Sequence, residues 1–131
     1  MLTQLIYSSQ PFGFDRSMLA GILVAARRNN PRDDITGALI CRQDLYLQLI
    51  EGPAAAIDAL YDRIKVDDRH QDVTVLHRAE VDGRMFGDWA MLDDPARSWL
   101  WSVEEVANGA LTDAPPEEVL AVFERVRREV G

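Results

Sequence analysis

Gln48 stands in the middle of an apolar run, Leu45-Tyr46-Leu47-Gln48-Leu49-Ile50. A buried primary amide costs roughly 1–3 kcal/mol unless both its carbonyl and its NH2 find partners, so this position demands something polar opposite. Tyr7, in the strand-like Leu5-Ile6-Tyr7-Ser8-Ser9, and Asn30, just before Pro31, are two residues suited to such a network. Trp89 and Met91, in Asp88-Trp89-Ala90-Met91, complete the set. The chemistry open to a phenol and an amide is a proton relay. A phenol is oxidised easily only if its proton leaves with its electron, which requires a hydrogen-bonded acceptor. Glutamine donates and accepts at once, so it can bridge the tyrosine hydroxyl and a second polar partner. Taken singly, each residue has a plainer reading: Tyr7 as a half-buried strand aromatic, Asn30 as a helix C-terminal residue, Gln48 as a satisfied core amide, Trp89 and Met91 as core.

The rest of the composition narrows the field. The 131 residues suit one domain with a real core. With 14 basic and 22 acidic residues the net charge is −8, which disfavours nucleic acid and anionic membrane as partners. The single cysteine, Cys41, has no internal disulfide partner. No signal-peptide pattern and no long apolar span occurs, so a cytoplasmic location is expected. Gly-rich phosphate loops, Cys/His metal spacings and G-x-S-x-G are missing, and His70 and His77 are the only histidines. No metal site and no enzyme activity is expected.

The elements that must position these residues follow from periodicity. Residues 2–9 read as a strand, and Asp15 to Asn30 as a helix capped by Asp15 or Ser17. Ile22, Ala26 and Asn30 recur every four residues and share one face. Pro31 disfavours helical geometry at Asn30, which predicts that the helix stops there. Asp34 to Arg42 and Leu45 to Glu51 are apolar stretches separated only by Gln43-Asp44, so they form an antiparallel hairpin. Gly52-Pro53 opens a second helix reaching about Asp67, with Ile57, Leu60, Tyr61 and Ile64 inside. Val73 to Val81 predicts a strand, and Trp89 to Leu92 a short one reached through Gly87. Trp89 and Met91 would then share strand parity.

This order, β-α-β-β-α-β-β, predicts an α+β, ferredoxin-like sheet of five strands. In the strand bearing Gln48, Leu45, Leu47 and Leu49 project to one face and Tyr46, Gln48 and Ile50 to the other, so both faces need cover. The two helices cover one. The tail covers the other, with a helix near Arg97 to Ala107 carrying Trp99 and Trp101, and a second opened by Pro115-Pro116 with Val119, Val122, Phe123 and Val126 as its stripe. Residues 1–94 form the core and 95–131 a helical extension of the same domain, whose alternative role is to bind a partner or dimerise.

At this point the chain closely resembles the BLUF domain, a flavin-binding blue-light sensor module. The matching text is Leu5-Ile6-Tyr7-Ser8-Ser9, then Asn30-Pro31-Arg32-Asp33-Asp34-Ile35-Thr36-Gly37-Ala38-Leu39, then Leu47-Gln48-Leu49-Ile50-Glu51-Gly52-Pro53. It continues with Ile64, Asp67, Arg69-His70 and Arg84-Met85-Phe86-Gly87-Asp88-Trp89-Ala90-Met91. The resemblance implies non-covalent FAD, with FMN or riboflavin as possible substitutes, its ring between the two helices and its polar edge on the sheet. By position it implies that Tyr7 is the redox-active tyrosine, Gln48 the switching glutamine and Asn30 the amide on the ring's pyrimidine edge. Ile22 and Ala26 then wall the ring, and Tyr46 or Ile50 flanks Gln48. Ser9 belongs to the binding set, while Lys65, Asp67, Arg69, His70 and Arg32 lie toward the ribityl and phosphate end. Trp89 and Met91 sit near Gln48 and the output strand, the nearer of the two being left open.

The family picture implies light-driven electron and proton transfer from Tyr7, after which Gln48 is left rotated or tautomerised. Asp68 departs from the family's usual proline before Arg-His, Asn29 beside Asn30 leaves two amides available, and Gly83 is an unusual lead into Arg84. The expectation is a blue-light photoreceptor that signals to a separate effector protein and forms homo-oligomers. A flavin-free interaction module and a small flavin redox enzyme are the competing readings.

Overall fold

The computed structural model describes residues 2–11, 16–42, 44–66, 70–95 and 99–130. The chain runs β1 (Leu2–Pro11), α1 (Arg16–Asp33), β2 (Thr36–Arg42), β3 (Leu45–Gly52), α2 (Ala54–Lys65), β4 (His70–Val81) and β5 (Leu92–Pro95). Three helices follow: α3 (Val103–Ala107), α4 (Ala110–Asp113) and α5 (Pro116–Val130). The strands form one five-stranded sheet in the order β4-β1-β3-β2-β5. β1 pairs antiparallel with β3 and β4, β2 antiparallel with β3, and β2 parallel with β5. This is the α+β, ferredoxin-like arrangement with one added edge strand.

β3 is central, and all eight of its residues are buried. Its alternation divides two cores. Leu45, Leu47 and Leu49 join Ile6, Ile40, Phe86 and the stripe Val119, Val122, Phe123 and Val126 of α5. Tyr46 and Ile50 join Tyr7, Leu39 and the helix residues Ile22, Leu23, Ile57 and Ile64. The sheet is therefore covered by α1 and α2 on one face and by the tail on the other. At Gly37 the β2 and β3 backbones come so close that a Cβ would run into the Leu49 carbonyl oxygen.

α1 passes through Pro31 and ends at Asp33. A proline in the last turn forfeits one i→i−4 bond, and a Schellman closure follows it. Ile35 N–H donates to Asn30 O at 2.8 Å and Asp34 N–H to Pro31 O at 3.4 Å. Asp34 takes the left-handed conformation, φ 58°, that this closure needs. α2 stops at Lys65, short of Asp67.

The short fifth strand begins at Leu92, so Trp89 and Met91 precede it and no strand parity relates them. The helix that follows Trp99 and Trp101 begins at Val103, where Ser102 and Glu105 form a capping box, and Arg97, where a tail helix was expected to begin, lies outside the described residues. Glu105 is held below the usual carboxylate range by the Ser102 backbone and side-chain hydrogen bonds. Of the proposed caps for α1, Asp15 lies outside the described residues and Ser17 falls inside the helix.

Candidate functional site

Tyr7 on β1 and Gln48 on β3 are direct register partners, so their side chains emerge side by side on the face covered by α1 and α2. Both are buried, Tyr7 completely. The Tyr7 hydroxyl donates to Gln48 Oε1. The other half of the amide, Nε2, donates to Met91 Sδ at 3.4 Å. A thioether is a weak acceptor, so this NH2 is held loosely and a better acceptor can take it over. Tyr61 of α2 meets the Tyr7 ring edge-on, 6.2 Å between centroids, and fixes the phenol's plane.

Above this pair lies a cleft of about 200 Å³ between α1 and α2. α1 contributes two adjacent stripes to it, Ile22, Ala26 and Asn30 on one and Ala25 and Asn29 on the next. α2 contributes Leu60, Arg63 and Ile64. The walls are thus aliphatic and small, while the floor carries the amides of Asn30 and Gln48 and the Tyr7 phenol. Asn30 is buried and its Nδ2 donates to Ala90 O at 2.8 Å, which leaves its oxygen as the group to accept from a ligand N–H. Arg63 stands at the cleft with Nη2 3.6 Å from Asp33 Oδ2.

The residues singled out in the sequence divide accordingly. Tyr7, Ile22, Ala26, Asn30 and Gln48 line one cleft, and Met91 reaches it through Gln48. Tyr46 and Ile50 are buried in the core beneath it rather than in its lining. Ser9 is also buried, and it borders a different hollow with Ser8, Gln10 and Thr74. Arg32 is mostly exposed and pairs with Asp33 at 3.3 Å, Lys65 pairs with Asp62 at 3.1 Å, and neither is among the residues that line the cleft. Among the described residues, Arg63 is the arginine that lines the cleft. Asp67, Asp68 and Arg69 lie outside the described residues, as does the side chain of His70. Trp89 packs on the opposite face, with the α5 core.

A second cluster, not anticipated, holds the segment that carries Met91. Glu51 is fully buried, and its carboxylate accepts from Met85 N–H at 2.9 Å and Phe86 N–H at 2.7 Å. Thr36 Oγ1 donates to the same carboxylate at 3.3 Å. Arg84 donates to Thr36 Oγ1 at 2.9 Å, Glu51 O at 3.1 Å and Asp34 O at 2.8 Å. Farther along, Gly37 N–H donates to Trp89 O at 3.2 Å, and Arg27 donates to Met91 O at 3.3 Å. The one signal for this in the sequence is a carboxylate closing an otherwise apolar strand, since a buried charge must be hydrogen-bonded.

Residues 2–92 match the family model BLUF, sensors of blue light using FAD. Over 92 residues the chain is 39% identical to the photoactivated adenylate cyclase subunit beta of Euglena gracilis, an alignment covering 69% of this chain and 11% of that one. It is 32% identical over 96 residues to the blue light- and temperature-regulated antirepressor BluF of Escherichia coli, covering 70% of this chain and 23% of the other. The chain therefore spans only a small part of these relatives. Among solved structures, the dark state of BlrB, a BLUF protein, superposes with a TM-score of 0.81 at 28% identity, covering 98% of this chain and 96% of that one. The chain belongs to the BLUF family of flavin-based blue-light sensors.

Proposed function

We propose that this chain is a blue-light photoreceptor that binds FAD non-covalently in the α1/α2 cleft and signals through the Tyr7–Gln48–Met91 network. The observation that carries the reading is the Tyr7 hydroxyl on Gln48 Oε1 at the floor of that cleft. The donor set fits a flavin: aliphatic walls from Ile22, Ala26, Leu60 and Ile64 suit a flat ring, and the amides of Asn30 and Gln48 suit its alternating polar edge. Arg63 suits the ribityl and phosphate end, a role for which Arg69 and His70 are further candidates.

When bound, the flavin supplies a blue-absorbing oxidant beside the phenol. Tyr7 keeps its proton on a hydrogen bond to Gln48, so it can release the proton as it loses an electron. Gln48 holds its carbonyl toward Tyr7 and its NH2 toward Met91. Turning the amide, or shifting a proton within it, trades these roles and releases Met91 from its weak bond. In this reading residues 1–94 sense light and 95–131 pass the change to a separate protein in the cytoplasm, with homo-oligomers as the working assembly. The chain acts as a sensor and performs no chemistry on a substrate.

The test is a visible absorption spectrum of the protein purified with excess FAD, taken in darkness, under blue light and afterwards. A flavin spectrum that moves to the red and returns in the dark supports the reading. A colourless protein would favour a flavin-free interaction module, and bound flavin that only bleaches with light or NAD(P)H would favour a redox enzyme.

A further inference from the structure

We infer that Arg127 of α5 is a positioning residue for the flavin site: it grips residues 85–89 from the tail side and thereby keeps Trp89 off the cleft and Met91 on Gln48. The inference rests on the photoreceptor reading above. Arg127 lies outside the 2–92 segment that matches the family.

Arg127 Nε donates to Met85 O at 3.1 Å, and the guanidinium carbon stands 5.1 Å from the centroid of the Trp89 ring. Phe86, between these two points, is fully buried. Its ring meets Trp89 edge-on at 6.1 Å and Phe123 edge-on at 6.2 Å. Phe123 and Arg127 are four residues apart on α5 and share a face, so one helical turn holds three successive points of the segment. The far end of the same segment touches the cleft, where Ala90 O accepts from Asn30 and Met91 Sδ from Gln48. Between β4 and β5 the backbone forms no strand ladder; Gly37 N–H holds the Trp89 carbonyl at 3.2 Å, and the α5 side chains hold the Trp89 ring on their own face of the sheet. A planar guanidinium suits this position because it can lie against the indole face while donating to a carbonyl, which a lysine ammonium does less well.

Two consequences follow. Loss of the grip removes stabilisation from the arrangement with Met91 on Gln48. By linkage, a protein that binds and displaces α5 shifts the balance between the two arrangements of the segment, and light that shifts that balance changes the protein's affinity by the same factor.

The test uses the full chain with FAD, labelled with 5-fluorotryptophan, the Trp89 fluorine resonance being assigned by Trp89→Phe. Arg127→Ala is expected to move that resonance in darkness and to slow dark recovery of the flavin spectrum by about threefold to tenfold. Arg127→Lys is expected to give an intermediate effect, and it carries the test should Arg127→Ala fail to fold. Arg128→Ala, an exposed neighbour on α5, is expected to change neither. An unmoved Trp89 resonance overturns the proposal, and so does a moved resonance with unchanged recovery. A wild-type protein that binds FAD without any light response overturns the photoreceptor reading instead, and the grip on Trp89 then stands or falls on the dark resonance alone.

Discussion

Trp89 and Met91, two residues apart, lie on opposite faces of the sheet. Met91 Sδ accepts from Gln48 Nε2 at 3.4 Å on the face covered by α1 and α2, whereas Trp89 packs on Phe86 at 6.1 Å on the face covered by α5. Ala90 between them therefore carries the chain from the α5 face of the sheet to the α1/α2 face. Met91→Leu keeps the volume but removes the sulfur. It is expected to cost less than about 1.5 kcal/mol of stability and leave flavin bound, while changing the dark-recovery rate because the Gln48 NH2 has lost its partner. Flash absorption and urea unfolding on the same preparation check both halves.

Asn30 links the cleft to the same segment through Ala90. Asn30→Ala should weaken FAD binding by about tenfold, the loss of roughly one good hydrogen bond, as measured by titration in darkness. Asn29→Ala is the comparator. Asn29 also lines the cleft but is only half-buried and makes no bond to residue 90, so its effect should be smaller.

Glu51 anchors the start of the segment. Replacing it with leucine leaves the part-buried N–H of Met85 and the buried N–H of Phe86 without their acceptor, which should destabilise the fold by roughly 2–5 kcal/mol. Urea unfolding of Glu51→Leu beside wild type measures this, and an unchanged midpoint would mean that the carboxylate is dispensable.

Most of the frame was legible in the sequence, because alternation in β3 and four-residue spacing in α1, α2 and α5 are imposed by burial and survive any change of detail. Tyr7, Gln48, Asn30, Ile22 and Ala26 converge on one cleft for that reason. What was not legible depends on tertiary contacts. The Schellman closure carries α1 through Pro31, although local sterics at Asn30 argue for a stop. The irregular path before β5 undoes the parity expected for Trp89 and Met91. Arg32 lies two residues beyond Asn30 on α1, about 200° around the helix from the cleft face, and is mostly exposed, whereas Arg63 of α2 lines the cleft. Glu51 and Arg84 were quoted only as part of a motif, and nothing in their spacing revealed that one would hold the other's neighbours.

His77, on β4 and 3.1 Å from Gln4 Oε1, has its pKa lowered below 6.5 by partial burial. The folded state thus resists protonation, and the unfolded chain binds more protons as pH falls below that value. Stability from this residue is complete above the unfolded pKa and is lost as pH falls through the folded one. The urea midpoint should therefore decrease between about pH 7.5 and pH 5.5, and His77→Gln should flatten that decrease.

We propose that the Tyr7 hydroxyl, held on Gln48, makes the cleft light-responsive. The most direct measurement is the blue-flash difference spectrum of Tyr7→Phe loaded with FAD, beside wild type. The variant keeps the ring and removes the hydroxyl that donates to Gln48 Oε1. It is expected to bind flavin with no reversible red shift, whereas wild type shifts and recovers. A Tyr7→Phe protein that shifts and recovers like wild type would contradict the account.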